Sequence, residues 1–428
     1  MLQASLQSGA AERRAIFEVF ARHLPHGRRY GVVAGTGRLL DAIERFRFGP
    51  ADLAFLGDAG IVDSPTLAYL ESYRFSGNIW GYSEGDCYFP GSPILVVEGT
   101  FAEAVLLETV TLSVLNHDCA IASAASRMVT AADGRPLIEM GSRRTHERAA
   151  VACARAAYIA GFASTSNLRA RYEYGVPSAG TSAHAFTLVH DSERRAFMTQ
   201  ISALGKETTL LADTYDVPRA VRTAIEVAGT DLGAVRIDSG DLPAVARQVR
   251  ALLDSLGATH TRIVLTGDLD EYSIAALGAM PVDGYGVGTS LVTGSGAPTA
   301  ALVYKLVARS SSGAAVSSLG GPGAVLEPVA KRSVGKPGRG GRKWAVRHRD
   351  EHGIALTEQI SLSPPDVATL DRELLVPLVT GGEIVGREPV EAARERHRAA
   401  LAELPPYALQ LSRGYPAIPT VFEGEPET

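Results

Sequence analysis

Cysteine is scarce: Cys87, Cys119 and Cys153 are the only three in 428 residues. They are too few and too scattered for a disulfide framework or a four-ligand zinc site, and each reads as a small core residue rather than a nucleophile. No apolar run approaches the ~20 residues that a membrane span needs, and the first residues lack a signal-peptide core. These absences fit a reducing cytoplasm and give no reason to expect a membrane. An excess of one charge is lacking too, since 42 Lys and Arg stand against 47 Asp and Glu, a net charge of −5. Without a global basic field, the chain is not built to hold nucleic acid, and an anionic substrate must be met locally. The one cation-rich stretch, KRSVGKPGRGGRK at 331–343, has no aromatic platform between its charges. That favours a solvated hairpin or loop over a polyanion site.

What is present is an ordinary globular composition, 46% hydrophobic and 21% charged. It is long enough for two or three domains, or for one barrel with an appendage. Residues 11–23 (AERRAIFEVFARH) place apolar side chains at helix-like spacing. Short β-rich runs follow at Tyr30–Ala34 and Pro93–Glu98, and residues 101–131 form a long Ala- and Leu-rich helical stretch. From about residue 135 short apolar runs alternate with helical segments: PLIEM, AVRID at 234–238, RIVLT at 262–266 and GYGVGT at 284–289. This order predicts parallel strands buried on both faces, in a barrel or a doubly wound sheet. Polar or glycine residues follow each strand and would cluster at one C-terminal rim, where such enzymes keep their sites. After about residue 310 a turn-rich C-terminal region begins, including Ser310–Ser312 and Gly320-Gly321.

Three motifs carry chemistry. GTSAHAF (180–186) sets His184 among small hydroxyl residues at a strand end or loop. A lone histidine is more often structural, but a neutral ring nitrogen with space around it is a competent phosphoryl acceptor. RIDSGDL (236–242) puts Arg236 and Asp238 on one face of a strand by alternation. The arginine suits a carboxylate or phosphate and the aspartate a ribose hydroxyl or Mg²⁺; the bland alternative is an ion pair in a turn. GYGVGTS (284–290) can wrap a phosphate with backbone N–H groups, Gly286 and Gly288 permitting close approach, or it is an ordinary tight turn. GVVAGTG (31–37) is not a dinucleotide fingerprint, because Leu40 stands where the third glycine belongs.

Taken in order, EGTFAEAVLLETVTLSVLNHD (98–118), EMGSRRTH (139–146), GFASTSN (161–167), GVPSAGTSAHAF (175–186), LADTYD (211–216), VRIDSGDL (235–242), TGDLDEY (266–272) and GYGVGTSLVT (284–293) resemble nicotinate phosphoribosyltransferase. The resemblance spans most of the chain. It implies an α/β chain of type II phosphoribosyltransferase fold: an irregular α/β barrel (111–310) beside a second domain built from segments 1–110 and 311–428. It implies a homodimer with interfacial sites that joins nicotinate to phosphoribosyl pyrophosphate (PRPP), giving nicotinate mononucleotide and pyrophosphate. ATP hydrolysis is coupled through a phosphohistidine, Mg²⁺ accompanies PRPP and ATP, and no tightly bound organic cofactor is expected.

Residue by residue, the resemblance makes His184 the phosphorylated histidine and Asp213 the carboxylate that orients it. Thr181, Arg236 and Arg143 become nicotinate contacts, Arg143 lying near the phosphates as well. Gly267, Asp268, Gly288 and Thr289 form the 5′-phosphate and ribose cradle. Asp238, with Ser239 and Gly240, meets pyrophosphate, ribose or Mg²⁺. GFASTSN offers hydroxyls at residues 164–166 rather than an acidic group, which favours a carboxylate substrate over an amide. The family's opening Thr-Asp-x-Tyr-x-x-Thr-Met segment, whose tyrosine stacks on the base in the partner subunit, has only its final methionine matched here, by Met1. The expectation is weak nicotinate binding unless that segment is restored, read as a change in KM. Nicotinamide phosphoribosyltransferase shares the fold and histidine and is the nearest rival. Quinolinate phosphoribosyltransferase needs no phosphohistidine and is typically shorter. A non-catalytic relative is disfavoured by the retained His184, Asp213 and RIDSGDL.

Overall fold

The computed structural model describes residues 1–311, 326–331 and 338–423. The chain divides into two units, one of Ile121–Pro298 and one of Met1–Ala120 with Thr299–Thr428.

In the 121–298 unit, short apolar runs become six parallel strands in the spatial order Ser164–Thr165, Leu137–Glu139, Gly284–Val287, Arg262–Leu265, Ala234–Ile237, Thr209–Leu211. This is the sequential order of an α/β barrel with one interruption: among the described residues no ladder joins Ser164–Thr165 to Thr209–Leu211. The segment that precedes His184 bridges that gap. Thr165 donates its N–H to Pro177 and accepts from Ala179 N, while Ser182 Oγ reaches Gln200, whose amide donates to Thr209 O at 2.9 Å.

Helices cover the strands, and each begins where the sequence supplies a cap. Asp216 accepts from Arg219 N at 2.9 Å, Asp241 from Ala244 N at 3.1 Å and Asp270 from Ser273 N at 2.7 Å. They open Val217–Ala228, Leu242–Ser255 and Glu271–Ala276. A carboxylate there satisfies an orphan N–H and suits the positive helix end. The second aspartate of RIDSGDL is thereby a cap, whereas the first sits at the strand end.

The other unit is built on a seven-stranded sheet, in the order Leu326–Pro328, Leu302–Ser310, Arg14–Ala21, Leu95–Thr100, Asn78–Gly81, Val376–Thr380, Glu383–Ile384. Arg14–Ala21 corrects the helical reading of residues 11–23. It is a central strand, paired on both edges and buried at nearly every position, so both faces demand apolar residues and alternation vanishes.

The cation-rich stretch also departs from the solvated reading. Residues 332–337 lie outside the described residues, as do Ser312 and Gly320-Gly321. The Lys343 ammonium, however, is buried and donates to Glu18 at 2.6 Å. Arg342 lies over the Trp80 and Trp344 rings, and Arg339 over Phe422. The aromatics that hold these cations come largely from elsewhere in the chain, which local sequence does not reveal.

All three cysteines are buried, and burial pushes the Cys87 and Cys119 thiols above their ordinary range, as suits inert core residues. Among the described residues no helix is long and apolar enough to cross a membrane.

Candidate active site

The C-terminal ends of the parallel strands converge on a connected polar group. His184 is the first residue of the short helix His184–Leu188 rather than part of a loop, and its side chain is about 40% exposed. Its Nε2 lies 3.1 Å from Asp213 Oδ1. Asp213 stands just beyond Thr209–Leu211, with its side chain only 2% exposed. Its other oxygen accepts from the Asp238 N–H at 2.9 Å and from Ser239 Oγ at 2.7 Å. The carboxylate is therefore pinned from behind and aimed at one imidazole nitrogen. With the proton on Nε2, donated to Asp213, the Nδ1 lone pair is left as the nucleophilic position.

Beside this pair lies Arg236, on Ala234–Ile237. Its Nε donates to Thr266 Oγ1 at 2.8 Å, one terminal nitrogen to Thr181 Oγ1 at 2.6 Å and the other to Asp238 Oδ1 at 2.6 Å. Three bonds in the guanidinium plane hold the fork in one orientation, and two of its five N–H groups remain for a planar anion. Burial by itself would raise the Asp238 carboxyl. The hydrogen bond from Thr266 and the Arg236 charge outweigh it and hold the group below the usual carboxylate range. Asp238 is thus an anion at neutral pH with one oxygen already engaged. Among the described residues no cluster of three or more His, Cys, Asp or Glu could hold a metal ion.

The nicotinate phosphoribosyltransferase (NAPRTase) N-terminal domain family matches residues 1–116. Nicotinate phosphoribosyltransferase pncB1 of Mycobacterium tuberculosis H37Rv is 56% identical over 430 residues, covering 98% of this chain and 92% of that protein. The chain belongs to the nicotinate phosphoribosyltransferase family. The pncB2 protein of the same strain is 39% identical over 92% of this chain and 83% of its own. A crystal structure of human nicotinic acid phosphoribosyltransferase matches with a TM-score of 0.83, over 99% of this chain and 96% of that one, at 23% identity. Nicotinate-nucleotide pyrophosphorylase from Pyrococcus furiosus matches at 0.74, over 94% and 92%, also at 23%. The fold is that of the type II phosphoribosyltransferases.

Within this member of the nicotinate phosphoribosyltransferase family, His184, Asp213, Asp238, Ser239, Arg236 and Thr181 form one hydrogen-bonded group. Gly240 follows it in a left-handed turn. Gly267 packs against it: a Cβ there would stand 2.4 Å from the Asp238 carbonyl. Asp268 follows, exposed and with positive φ. Gly288 and the exposed Thr289 follow the next strand, Thr289 opening the short helix Thr289–Val292, and Arg143 lies in the turn after the strand beyond. Gly286 serves another purpose than open approach to a phosphate, since a Cβ there would meet Thr266 Cγ2 at 2.5 Å and Met140 Sδ at 2.7 Å.

Three residues in or beside this group were not singled out from sequence. Thr266 bridges Arg236 and Asp238, and the ladder carried one residue beyond Leu265↔Ile237 brings it opposite Asp238. Gln200, on the intervening helix Glu193–Leu204, holds Ser182 on one side and Thr208 on the other. Glu139 is fully buried beneath GFASTSN, bonded to the Thr165 hydroxyl. The hydroxyl run therefore has an acidic neighbour after all, and Thr165 is committed to it rather than open to a base. Strand register would have flagged Thr266; no local signal marks Gln200.

Proposed function

We propose that this chain joins nicotinate to PRPP, forming nicotinate mononucleotide and pyrophosphate, in NAD biosynthesis. The coupling step is transfer of the γ-phosphoryl group of ATP to His184 Nδ1, with ADP leaving and water later cleaving the N–P bond. The observation that carries this reading is the His184–Asp213 hydrogen bond, with the second carboxylate oxygen pinned by Asp238 N and Ser239. A pinned carboxylate selects the tautomer and stabilises the imidazolium character that grows as the ring attacks phosphorus. The 56% identity to a protein named for this activity supports the substrate assignment.

In the transfer itself the pyridine nitrogen bonds to the anomeric carbon as the bond to pyrophosphate breaks. Arg236 and Thr181 orient the nicotinate carboxylate, with Arg143 nearby, so that the ring nitrogen points at that carbon. Asp238, Ser239 and Gly240 face the ribose and pyrophosphate, and Gly267, Asp268, Gly288 and Thr289 seat the 5′-phosphate. Mg²⁺ enters as part of the Mg·PRPP and Mg·ATP substrates. A lone carboxylate with one engaged oxygen suits an ion already held by phosphate oxygens, because Mg²⁺ keeps waters and substrate ligands rather than a protein cage. The reading includes a cytoplasmic homodimer with sites at the interface.

The test is incubation with γ-labelled ATP, PRPP and nicotinate, or nicotinamide in parallel. The expected result is product from nicotinate only and an acid-labile phosphoramidate on the wild type that His184→Ala lacks. Unchanged ATP-stimulated turnover in His184→Ala would overturn the assignment.

A further inference from the structure

Glu139 ends the Leu137–Glu139 strand with its side chain 0% exposed. Burying a carboxylate without a cation is costly unless hydrogen bonds satisfy it, and no ion pair involves Glu139 among the described residues. Its two oxygens take one bond each. Oε1 accepts from the Gly141 N–H and Oε2 from the Thr165 hydroxyl. Burial raises its pKa, against which these two bonds act.

Both partners lead into the site. Gly141 opens the Ser142–Arg144 turn. Thr165 exchanges backbone bonds with Pro177 and Ala179, on the segment that runs to Thr181 and His184. The Thr165 hydroxyl also accepts from Asn167 N at 2.9 Å, and the Asn167 amide donates to Ser142 Oγ at 3.0 Å. The turn is therefore gripped at two consecutive residues, Gly141 by Glu139 and Ser142 by Asn167. The next residue, Arg143, is exposed and makes no side-chain hydrogen bond or ion pair among the described residues. A rigidly held turn that presents an unengaged guanidinium is what pre-organised anion recognition needs.

We propose that Glu139 is a positioning residue: its buried carboxylate clasps the Arg143 turn to the segment bearing Thr181 and His184, so that Arg143 is held ready for the substrate anion. This rests on the assignment of nicotinate and PRPP as substrates. Glutamine keeps an acceptor for Gly141 N and offers a donor to Thr165 Oγ1, so E139Q retains the clasp. T165V removes the Glu139 arm, and with it the acceptor of Asn167 N, with little change of shape.

The experiment measures kcat/KM for nicotinate in wild type, E139Q, T165V, R143A and the T165V/R143A double variant. Thermal unfolding and hydrogen exchange of the peptide spanning 140–146 are measured alongside. E139Q stays within about threefold of wild type. T165V loses about tenfold in kcat/KM and its 140–146 amides exchange faster, while its unfolding temperature falls by a few degrees because Glu139 Oε2 is left without its donor. In the R143A background T165V costs less than about twofold, because the arginine it positions is gone. Additive losses in the double variant, or unchanged exchange at 140–146 in T165V, would overturn the clasp. The exchange readout needs no turnover: a wild type inactive on nicotinate and PRPP, with exchange still responding to T165V, would sink the substrate assignment and leave the clasp standing.

Discussion

Replacing Asp213 by asparagine changes almost no volume, yet it is expected to disable the phosphorylation step. The carboxylate accepts three hydrogen bonds, from His184 Nε2 on one oxygen and from Asp238 N and Ser239 Oγ on the other. Asparagine has one acceptor oxygen, and the Asp238 N–H can only donate, so that oxygen must turn toward Asp238 and Ser239. The amide NH₂ then faces His184 and donates to Nε2, forcing the ring proton onto Nδ1. The nitrogen that should attack phosphorus is thereby blocked. Loss of the correct tautomer costs roughly 10⁴-fold in a nucleophile–histidine–carboxylate system, which is about 5.4 kcal/mol at 1.36 kcal/mol per decade. Because the Asp238 and Ser239 bonds survive, the fold should be nearly as stable as wild type. The assay is single-turnover transfer from γ-labelled ATP, quenched in base to preserve the phosphoramidate, beside a thermal melt. A phosphorylation rate in D213N within threefold of wild type, with an unchanged melt, would refute the tautomer argument.

Three further expectations follow from the geometry. Arg236→Lys keeps the charge but cannot reach Thr266, Thr181 and Asp238 together; KM for nicotinate should rise at least about tenfold, as a point charge replaces a planar fork. Gly267→Ala sets a methyl group 2.4 Å from the Asp238 carbonyl at a φ of +109°; urea titration should find a loss of about 2 kcal/mol, within the usual range for such strain. His397 is buried with its Nδ1 2.9 Å from the Gly85 carbonyl, and burial lowers its pKa to about 4. The unfolded chain binds this proton below about pH 6.5, so stability should fall as pH drops from about 6.5 to about 4, by roughly 3 kcal/mol in all. Unfolding measured across that window should lose part of its slope in His397→Gln, and an identical slope would count against the assignment.

Legibility in the sequence followed the range of the interaction. The strands AVRI and RIVL and the helices after them were readable, because burial on both sheet faces writes short apolar runs that alternate with helical segments. The pairing of Arg236 with Asp238 was readable too, since two residues along a strand is one step on one face. The Arg14–Ala21 segment misled for the same kind of reason: a strand buried on both sides carries no alternation, and a short apolar run satisfies the helical pattern equally well. The basic stretch misled because Lys343 finds Glu18 across more than 300 positions.

The residue types at the site, and which of them stand at strand ends, were determined by the sequence alone. Hydrogen-bonding chemistry and local periodicity are properties of a few neighbouring residues. Only the tertiary structure decided which end meets which. Parallel register brings Thr266 beside Asp238 and Asp213 beside Ser239, and a break in the barrel order lets the His184 segment bridge two strands. It also buried Glu139 beneath a run of hydroxyls that read as a binding surface. A buried carboxylate costs free energy that only the assembled fold can offset, so its role is absent from any short stretch of sequence.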